Sequence, residues 1–148
     1  MSNQSDRAVF SQLVMRVARY VRRALDKELC ACGLSQATAL PLLVLSRGGP
    51  NLRQGVIAEE LGIEGPSLVR VVDMLIEEGL LTRREDPSDR RAKLLKLTAR
   101  GVERVVDIEA AAQRMRSRML AEVTPAELAT VVGVLSKIEQ TLLRDWDS

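Results

Sequence analysis

Apolar side chains recur every three or four residues in two neighbouring segments near the middle of the chain. Both segments have the spacing of a buried helix face, and each is followed by glycine: Val56, Ile57, Ala58 and Leu61 before Gly62, and Leu68, Val71 and Leu75 before Gly79. Pro66 stands at the expected start of the second helix, where its missing N–H is not needed for a helical hydrogen bond. Two short helices joined by a glycine-bearing turn predict a helix-turn-helix at residues 54–77.

After the second helix the pattern changes to that of a β-hairpin. Residues 80–84 predict one short strand, and residues 94–97 predict its partner. The polar segment 85–91 between them contains the turn-forming Pro87, so two arginines are expected at the hairpin tip. A helix-turn-helix followed by a hairpin at residues 80–97 is the pattern of a winged helix, in which the helix enters the major groove of DNA and the basic ribbon reaches the minor groove.

Shorter signals complete the predicted lobe at residues 36–101. Ser35 is expected to cap a helix over residues 36–46, in which Pro41 should cause a kink or displace the start. Residues 51–53 are expected to add a third short strand beside the wing.

Long helices with apolar stripes are predicted at both ends of the chain. One runs from Phe10 to Cys32 behind a frayed N-terminal tail, and another follows Thr98, which is expected to cap it. Thr124 and Glu127, with proline after the threonine, have the spacing of a capping box at the start of a last helix.

A small winged helix does not need these stripes for its own core. We therefore expect a homodimer formed by helices at residues 8–32 and 102–146; the residues expected in its interface are Phe10, Leu13, Val17, Leu128, Val131, Leu135, Ile138 and Leu142. The alternative is that these helices fold back on their own domain.

Composition fits one domain, residues 1–148, of mainly α fold with a small β-hairpin wing: a winged helix-turn-helix with N- and C-terminal dimerisation helices. Aromatic residues make up only 2% of the chain and charged residues 28%. No apolar run approaches the roughly 20 residues that cross a bilayer, and the N-terminus has no apolar signal-peptide core. We expect a cytoplasmic protein with no membrane partner.

Charge is distributed unevenly along the chain. The net charge is only +2, but residues 80–101 carry seven basic and three acidic side chains, which leaves the remainder with a net negative charge. Positive charge is therefore concentrated at the wing, where a DNA backbone would be met.

Catalysis, a metal and a cofactor are not expected. The chain has no histidine and no glycine-rich phosphate loop, so Ser-His and Cys-His pairs are impossible. Cys30 and Cys32 offer too few ligands for zinc in one chain. We interpret them as reduced thiols, with redox sensing as the alternative.

The segment IEGPSLVRVVDMLIEEGLLTRREDPSDRRAKLLKLTARG resembles the MarR family of bacterial regulators, and most closely its SlyA branch. The resemblance rests on residues 62–70, on Asp89-Arg90-Arg91 and on residues 97–101. It implies a homodimer that binds double-stranded DNA at pseudo-palindromic sites, as repressor or activator. It also implies a small aromatic acid as effector, bound between the dimer helices and the DNA-binding lobe. Arg16 and Arg19 could pair with its carboxylate, and Tyr20 is a further candidate ligand; the alternative for the two arginines is a solvated basic face.

The candidate DNA contacts follow from this arrangement. Arg70 could fork onto a guanine edge, Arg91 is the candidate for minor-groove insertion, and Arg90 is expected to meet phosphate. The family pattern implies that the Asp89 carboxylate holds the Arg91 guanidinium. The remaining predicted contacts are Gln54 and Gly55 at a helix start, Pro66 and Ser67 beside Arg70, and Arg83, Arg84 and Lys93 in the wing.

Two other functions remain open from the sequence. A winged helix can be a protein-interaction module, and a wing with three acidic residues is compatible with that role. A nucleoid-associated protein of low sequence specificity is the other alternative, and its DNA affinity would be nearly independent of sequence.

Overall fold

The computed structural model describes residues 2–146, and the side chains of residues 5–145. Within that range the chain forms six helices and three strands: α1 (Ser2–Ala31), α2 (Gln36–Gly48), β1 (Leu52–Arg53), α3 (Gln54–Leu61), α4 (Gly65–Glu77), β2 (Leu81–Asp86), β3 (Asp89–Leu97), α5 (Ala99–Met119) and α6 (Pro125–Trp146). The predicted fold class, mainly α with a small antiparallel sheet, is confirmed. Two compact units divide the chain, one extending to Met115 and one beginning at Arg116.

The core of the first unit is aliphatic. Helix α4 buries Leu68, Val72 and Leu75 at four- and three-residue spacing, and α3 buries Ile57 against them. The end of α1, the middle of α2 and the first half of α5 contribute further buried side chains to the same cluster. Each fully buried leucine or isoleucine stabilises the folded state by about 1.5–3 kcal/mol relative to an exposed one. This cluster therefore holds the helix-turn-helix against α1, α2 and α5.

Glycines end the two helices of the helix-turn-helix as predicted. Gly62 has a φ of 62°, and its N–H bonds back to helix carbonyls. Gly79 follows the end of α4 with a φ of 74°. Positive φ at both positions allows the chain to reverse after each helix, because glycine has no Cβ to clash there.

The sheet has the strand order β1-β3-β2, with antiparallel pairing throughout. The third strand predicted beside the wing is present, since Leu52 pairs with Leu95 and Arg53 with Leu94. The predicted polar tip at residues 85–91 is wrong in extent. Both strands continue outward until only Pro87 and Ser88 form the turn.

The outer wing contains an irregularity. Glu85 pairs with Lys93, whereas the next residue, Asp86, pairs with Asp89. Residues 90–92 of β3 therefore have no register partner on β2. Arg90 and Arg91 lie in this bulge and not in the turn, and a bulge turns side chains away from the regular alternation of a strand.

Helix starts agree with the capping signals, with one exception at the N-terminus. The Ser35 side chain accepts the Thr38 N–H at the start of α2, and Pro41 is accommodated inside α2 without displacing its start. The frayed N-terminal tail is wrong for the described residues, because α1 begins at Ser2. Residues 2–31 include no proline or glycine, so nothing interrupts the helical hydrogen bonds.

The two C-terminal helices begin at their predicted caps. The Thr98 hydroxyl accepts the Gly101 N–H at 3.0 Å, and Thr124 and Glu127 exchange hydrogen bonds as a capping box at α6. Among the described residues no single helix is long and apolar enough to cross a membrane. One sharply bent pair, residues 5–31 with α2, passes the same length and composition test when taken together.

Candidate nucleic-acid interface

The N-terminal half of α4 presents an exposed face opposite its buried one. Pro66, Ser67 and Arg70 are all exposed, as their predicted role in reading DNA requires. Val69 and Met74 share the exposed side and were not identified from the sequence. Apolar side chains of this kind can contact thymine methyl groups.

The start of α3 and the wing line one depression of about 510 Å³. Its lining includes Gln54 and Gly55 from α3 and Asp89, Arg91 and Lys93 from β3. The structure thus brings together five predicted DNA contacts from two separate segments. The first N–H groups of α3 have no helical acceptor and are suited to a phosphate.

A second depression, of about 480 Å³, connects the recognition helix with the wing. Val69 of α4, Gln54 of α3 and Lys93 of β3 line it, together with Arg83 and Arg84 of β2. Gln54 and Lys93 therefore border both depressions. The two linings form one continuous surface from Val69 of α4 across the start of α3 to the wing. Its basic side chains outnumber its acidic ones, which are Glu59, Glu85 and Asp89.

Three of the predicted basic residues already have partners within the protein. Arg83 forms an ion pair with Asp73 of α4 at 2.8 Å, and Lys93 pairs with Glu85 across the strands at 3.1 Å. Arg84 donates to the Asn51 side chain at 3.4 Å. The ion pairs of Arg83 and Lys93 reduce the charge that these two residues present to a phosphate, whereas Asn51 is neutral and does not reduce that of Arg84. All three side chains stay at least partly exposed.

The remaining three predicted basic contacts are arginines without such partners. Arg70, Arg90 and Arg91 are exposed, and within the described part of the chain none of them has an acidic partner within 4.0 Å. They are the basic side chains most readily available to DNA.

The predicted pairing of Asp89 with the Arg91 side chain is not what the structure has. The Asp89 carboxylate instead accepts the backbone N–H of Arg91, at 3.0 Å. The two residues lie in a bulge, where the backbone N–H lacks a β2 partner and a nearby carboxylate can satisfy it. Asp89 therefore restrains the backbone of Arg91, and the Arg91 guanidinium is left free to meet a ligand.

Arg53, Asp86 and Ser88 form a network that the sequence did not reveal. Arg53 ends β1, and its guanidinium lies 2.7 Å from the buried Asp86 carboxylate. Ser88 donates both its hydroxyl, at 2.7 Å, and its backbone N–H, at 2.9 Å, to the same carboxylate. The hydrogen bonds from Ser88 and the contact with Arg53 lower the pKa of Asp86 from 3.8 to about 2.

A separate open cavity of about 500 Å³ lies along α1. Three arginines and one aspartate line it, together with a methionine, an alanine and a glutamine: Arg19, Arg22, Arg23, Asp26, Met15, Ala18 and Gln36. Of the predicted effector residues, Arg19 lines this cavity, whereas Arg16 and Tyr20 are exposed and do not line it. The Arg19 guanidinium lies 5.7 Å from the Tyr20 ring centre.

The predicted dimerisation residues are largely uncovered in the single chain. Phe10, Leu13 and Val17 of α1 are about two-fifths to one-half exposed. In α6, Val131, Leu135 and Leu142 are exposed to a similar degree, and Leu128 and Ile138 are half-buried. Aliphatic side chains spaced along one helix face at this exposure are typical of a surface that another chain covers.

The cysteines do not form a metal site with their neighbours. Cys30 is exposed and Cys32 half-buried. Arg114 lies 3.6 Å from the Cys32 sulfur and 3.1 Å from the Glu28 carboxylate. Within residues 2–146 no group of three or more potential metal ligands is assembled.

Known proteins share both the sequence pattern and the fold. Residues 33–92 match the model of the MarR family. The crystallised transcriptional regulator PA3341 is 37% identical, with a TM-score of 0.83 over 91% of this chain and 98% of that one. CouR from Rhodococcus jostii RHA1, crystallised with p-coumaroyl-CoA, is 30% identical, with a TM-score of 0.77 over 90% of each chain.

The same fold occurs in a mutant MarR from E. coli that was crystallised with operator DNA. That protein is 23% identical, with a TM-score of 0.76 over 86% of this chain and 91% of that one. A winged helix with a basic face, a matching family model and a 37%-identical regulator over nearly the full length agree: the chain belongs to the MarR family of transcriptional regulators.

Proposed function

We propose that this protein is a homodimeric regulator that binds pseudo-palindromic promoter DNA with sequence specificity. Helix α4 enters the major groove with Arg70, Ser67 and the exposed apolar residues beside them. The wing follows the backbone to the adjacent minor groove, into which Arg91 inserts. Gln54 and Gly55 at the start of α3 hold the intervening phosphate.

One observation carries this proposal. Two adjoining depressions, in which basic side chains outnumber acidic ones, connect Val69 on the exposed face of α4 with the start of α3 and with the unpaired Arg91 of the wing. An unpaired arginine on a thin ribbon, beside the free N–H groups at a helix start, suits the phosphates and the narrow groove of DNA. A protein-docking surface would not require this combination. The DNA-bound MarR mutant from E. coli is a protein of the same fold with this type of partner.

The dimer is proposed from the exposed apolar residues of α1 and α6. Leu13, Val17, Leu135 and Leu142 are each more than two-fifths exposed in the single chain. Burying such a stripe contributes roughly 25 cal/mol per Å² of apolar surface, which favours a permanent partner over solvent. A two-fold symmetric dimer would present two α4 helices to successive major grooves, about one helical turn apart.

The proposed effector is a small aromatic acid or its thioester. CouR, which shares 30% identity with this chain, was crystallised with p-coumaroyl-CoA. The three arginines beside the cavity along α1 could pair with a carboxylate or phosphate group of such a molecule. We extend the proposal to a cytoplasmic, SlyA-branch protein that acts as repressor, activator or both.

The test is fluorescence anisotropy with DNA from the protein's own promoter and with scrambled DNA of equal length. Wild type is expected to prefer the promoter. Arg91→Ala should weaken that binding by about 1–3 kcal/mol, the usual size of one groove contact. Lys137→Ala is the control, since it removes one positive charge from an exposed position of α6, far from the proposed surface in sequence.

Each result separates the alternatives. Equal affinity for promoter and scrambled DNA indicates low-specificity nucleoid binding. No binding to either DNA at moderate salt indicates a protein-interaction module. An effector arm adds p-coumaroyl-CoA to the wild-type complex; release of DNA supports the proposed ligand class, and unchanged anisotropy excludes this compound.

A further inference from the structure

The outer wing extends beyond the part of the sheet that has three strands. β1 pairs only with Leu94 and Leu95, so residues 85–93 belong to a two-stranded ribbon. Such a ribbon is marginally stable in water by itself. The bulge at residues 90–92 weakens the ladder further, because three residues of β3 lack partners on β2. Backbone pairing alone is therefore a weak restraint on the position of Arg91.

A side-chain network, which we call the Arg53 clamp (Arg53, Asp86 and Ser88), supplies a second restraint. Arg53 Nη2 and Nε lie 2.7 and 2.8 Å from Asp86 Oδ2, and Nη2 also lies 3.3 Å from the Ser88 hydroxyl. Asp86 Oδ1 accepts two further hydrogen bonds from Ser88. Both carboxylate oxygens are thus doubly engaged, which a buried carboxylate needs in order to remain charged.

The position of the clamp connects the wing with the helix-turn-helix. Arg53 immediately precedes α3, whereas Asp86 and Ser88 lie at the outer end of the hairpin. Arg53 also lines the depression shared by Gly55 and Arg91. Holding Asp86 against Arg53 therefore sets the distance between the phosphate-binding start of α3 and the arginine on the wing.

We propose that the Arg53 clamp is a positioning device, which holds the wing where Arg91 can meet the minor groove while α4 occupies the major groove. This inference rests on the proposed DNA-binding function. Neither Arg53 nor Asp86 needs to touch DNA for the clamp to act. Pre-ordering the wing lowers the entropic cost of binding, because the ribbon does not have to be immobilised by the DNA.

The direction of the change in DNA affinity distinguishes a positioning role from a purely electrostatic one. Asp86→Asn removes one negative charge from the DNA-facing lobe, so electrostatics alone predicts tighter binding. Loss of positioning predicts the opposite, weaker binding by up to the value of one groove contact, about 5- to 150-fold. Glu59→Gln is the matched control. It removes the same charge from an exposed residue of α3 that lines the depression shared by Arg53 and Arg91 and that has no ion pair within the described residues, so this variant should bind as tightly as wild type or more tightly.

The experiment measures anisotropy for wild type, Asp86→Asn, Arg91→Ala, the double variant and Glu59→Gln. If the clamp positions Arg91, the second substitution has little further effect once Asp86 is replaced. Tighter or unchanged binding by Asp86→Asn, or full additivity in the double variant, overturns the proposal. Ser88→Ala keeps both charges and replaces Asp86→Asn if circular dichroism shows that the latter does not fold.

Amide hydrogen exchange provides a readout without DNA. Exchange in residues 85–93 should be faster in Asp86→Asn than in wild type, while exchange in α4 stays unchanged. If wild type binds no DNA, the proposed function fails, and the positioning role of the clamp fails with it. If wild type binds promoter DNA but the exchange of the wing is unaltered by Asp86→Asn, the clamp alone is refuted.

Discussion

Gly101 occupies a position of α5 where any larger residue meets the main chain. A Cβ built on it would press against the carbonyl oxygen of Leu80 and lie 3.2 Å from a methyl group of Leu97. That carbonyl cannot easily move away, because it accepts the Thr98 N–H at 3.0 Å. The close approach joins the start of α5 to the end of α4 and to the base of the wing.

Gly101→Ala should therefore destabilise the protein although alanine is the better helix former. In an open helix the substitution gains about 0.5–1 kcal/mol. Overpacking against a fixed neighbour costs about 1–3 kcal/mol or more, and this cost should prevail. Because the contact is with the main chain, the cost should lie near the upper value of about 3 kcal/mol, which leaves a net loss of about 2–2.5 kcal/mol after the helix gain. At about 2–4 °C per kcal/mol for a chain of this size, we expect a fall in Tm of about 4–10 °C.

The measurement is thermal unfolding by circular dichroism at one fixed protein concentration. Gly133→Ala in α6 is the control, since no atom lies within 4 Å of its added Cβ and the helix should gain stability. A Tm for Gly101→Ala equal to or above that of wild type would refute the steric argument. A fall in both variants would instead indicate a general intolerance of alanine in these helices.

Two further predictions concern pH and assembly. Because folding lowers the pKa of Asp86 to about 2, its carboxylate stabilises the protein above pH ~4, and this contribution is lost as the pH falls toward 2. The stability difference between wild type and Asp86→Asn, measured by urea unfolding, should shrink from pH 6 to pH 3; a constant difference contradicts the assignment. Sedimentation should give twice the 16.4 kDa of one chain for wild type. Leu135→Asp should reduce this mass or prevent folding, whereas Lys137→Asp on the opposite face of α6 should not; a monomeric wild type excludes the dimer.

Local patterns were sufficient to predict most of the fold. The three- and four-residue spacing of Leu68, Val71 and Leu75 predicted burial of one helix face. The structure has Leu68, Leu75 and the neighbouring Val72 in the core, with Val71 partly buried beside them. Gly62 and the Thr98 cap act on residues within one turn of themselves. Signals of this kind need no knowledge of distant contacts, because the atoms that interact are close in sequence.

The details of the wing depend on contacts that the sequence does not display. Asp86 was one of several acidic residues in a polar segment, and its partner Arg53 lies 33 residues earlier. The bulge that carries Arg90 and Arg91 depends on the register of β2 against β3, which hydrophobic alternation did not specify in this charged stretch. In α1 the sequence indicated Arg16 and Arg19 as possible carboxylate partners, but it did not distinguish Arg22 and Arg23 from a solvated helix face. The cavity that Arg22 and Arg23 line with Arg19 also includes Gln36 of α2, which is distant in sequence.

The bulge at residues 90–92 also gives the wing an independently adjustable length. Because these residues have no register partner on β2, one could be added or removed without shifting the pairs from Leu81–Leu97 to Glu85–Lys93. The hydrophobic base of the hairpin and the packing of α4 would stay as they are. Related chains could in this way alter the reach of the arginine that we propose for the minor groove, and so the operators they tolerate, while the helix proposed for the major groove stays unchanged.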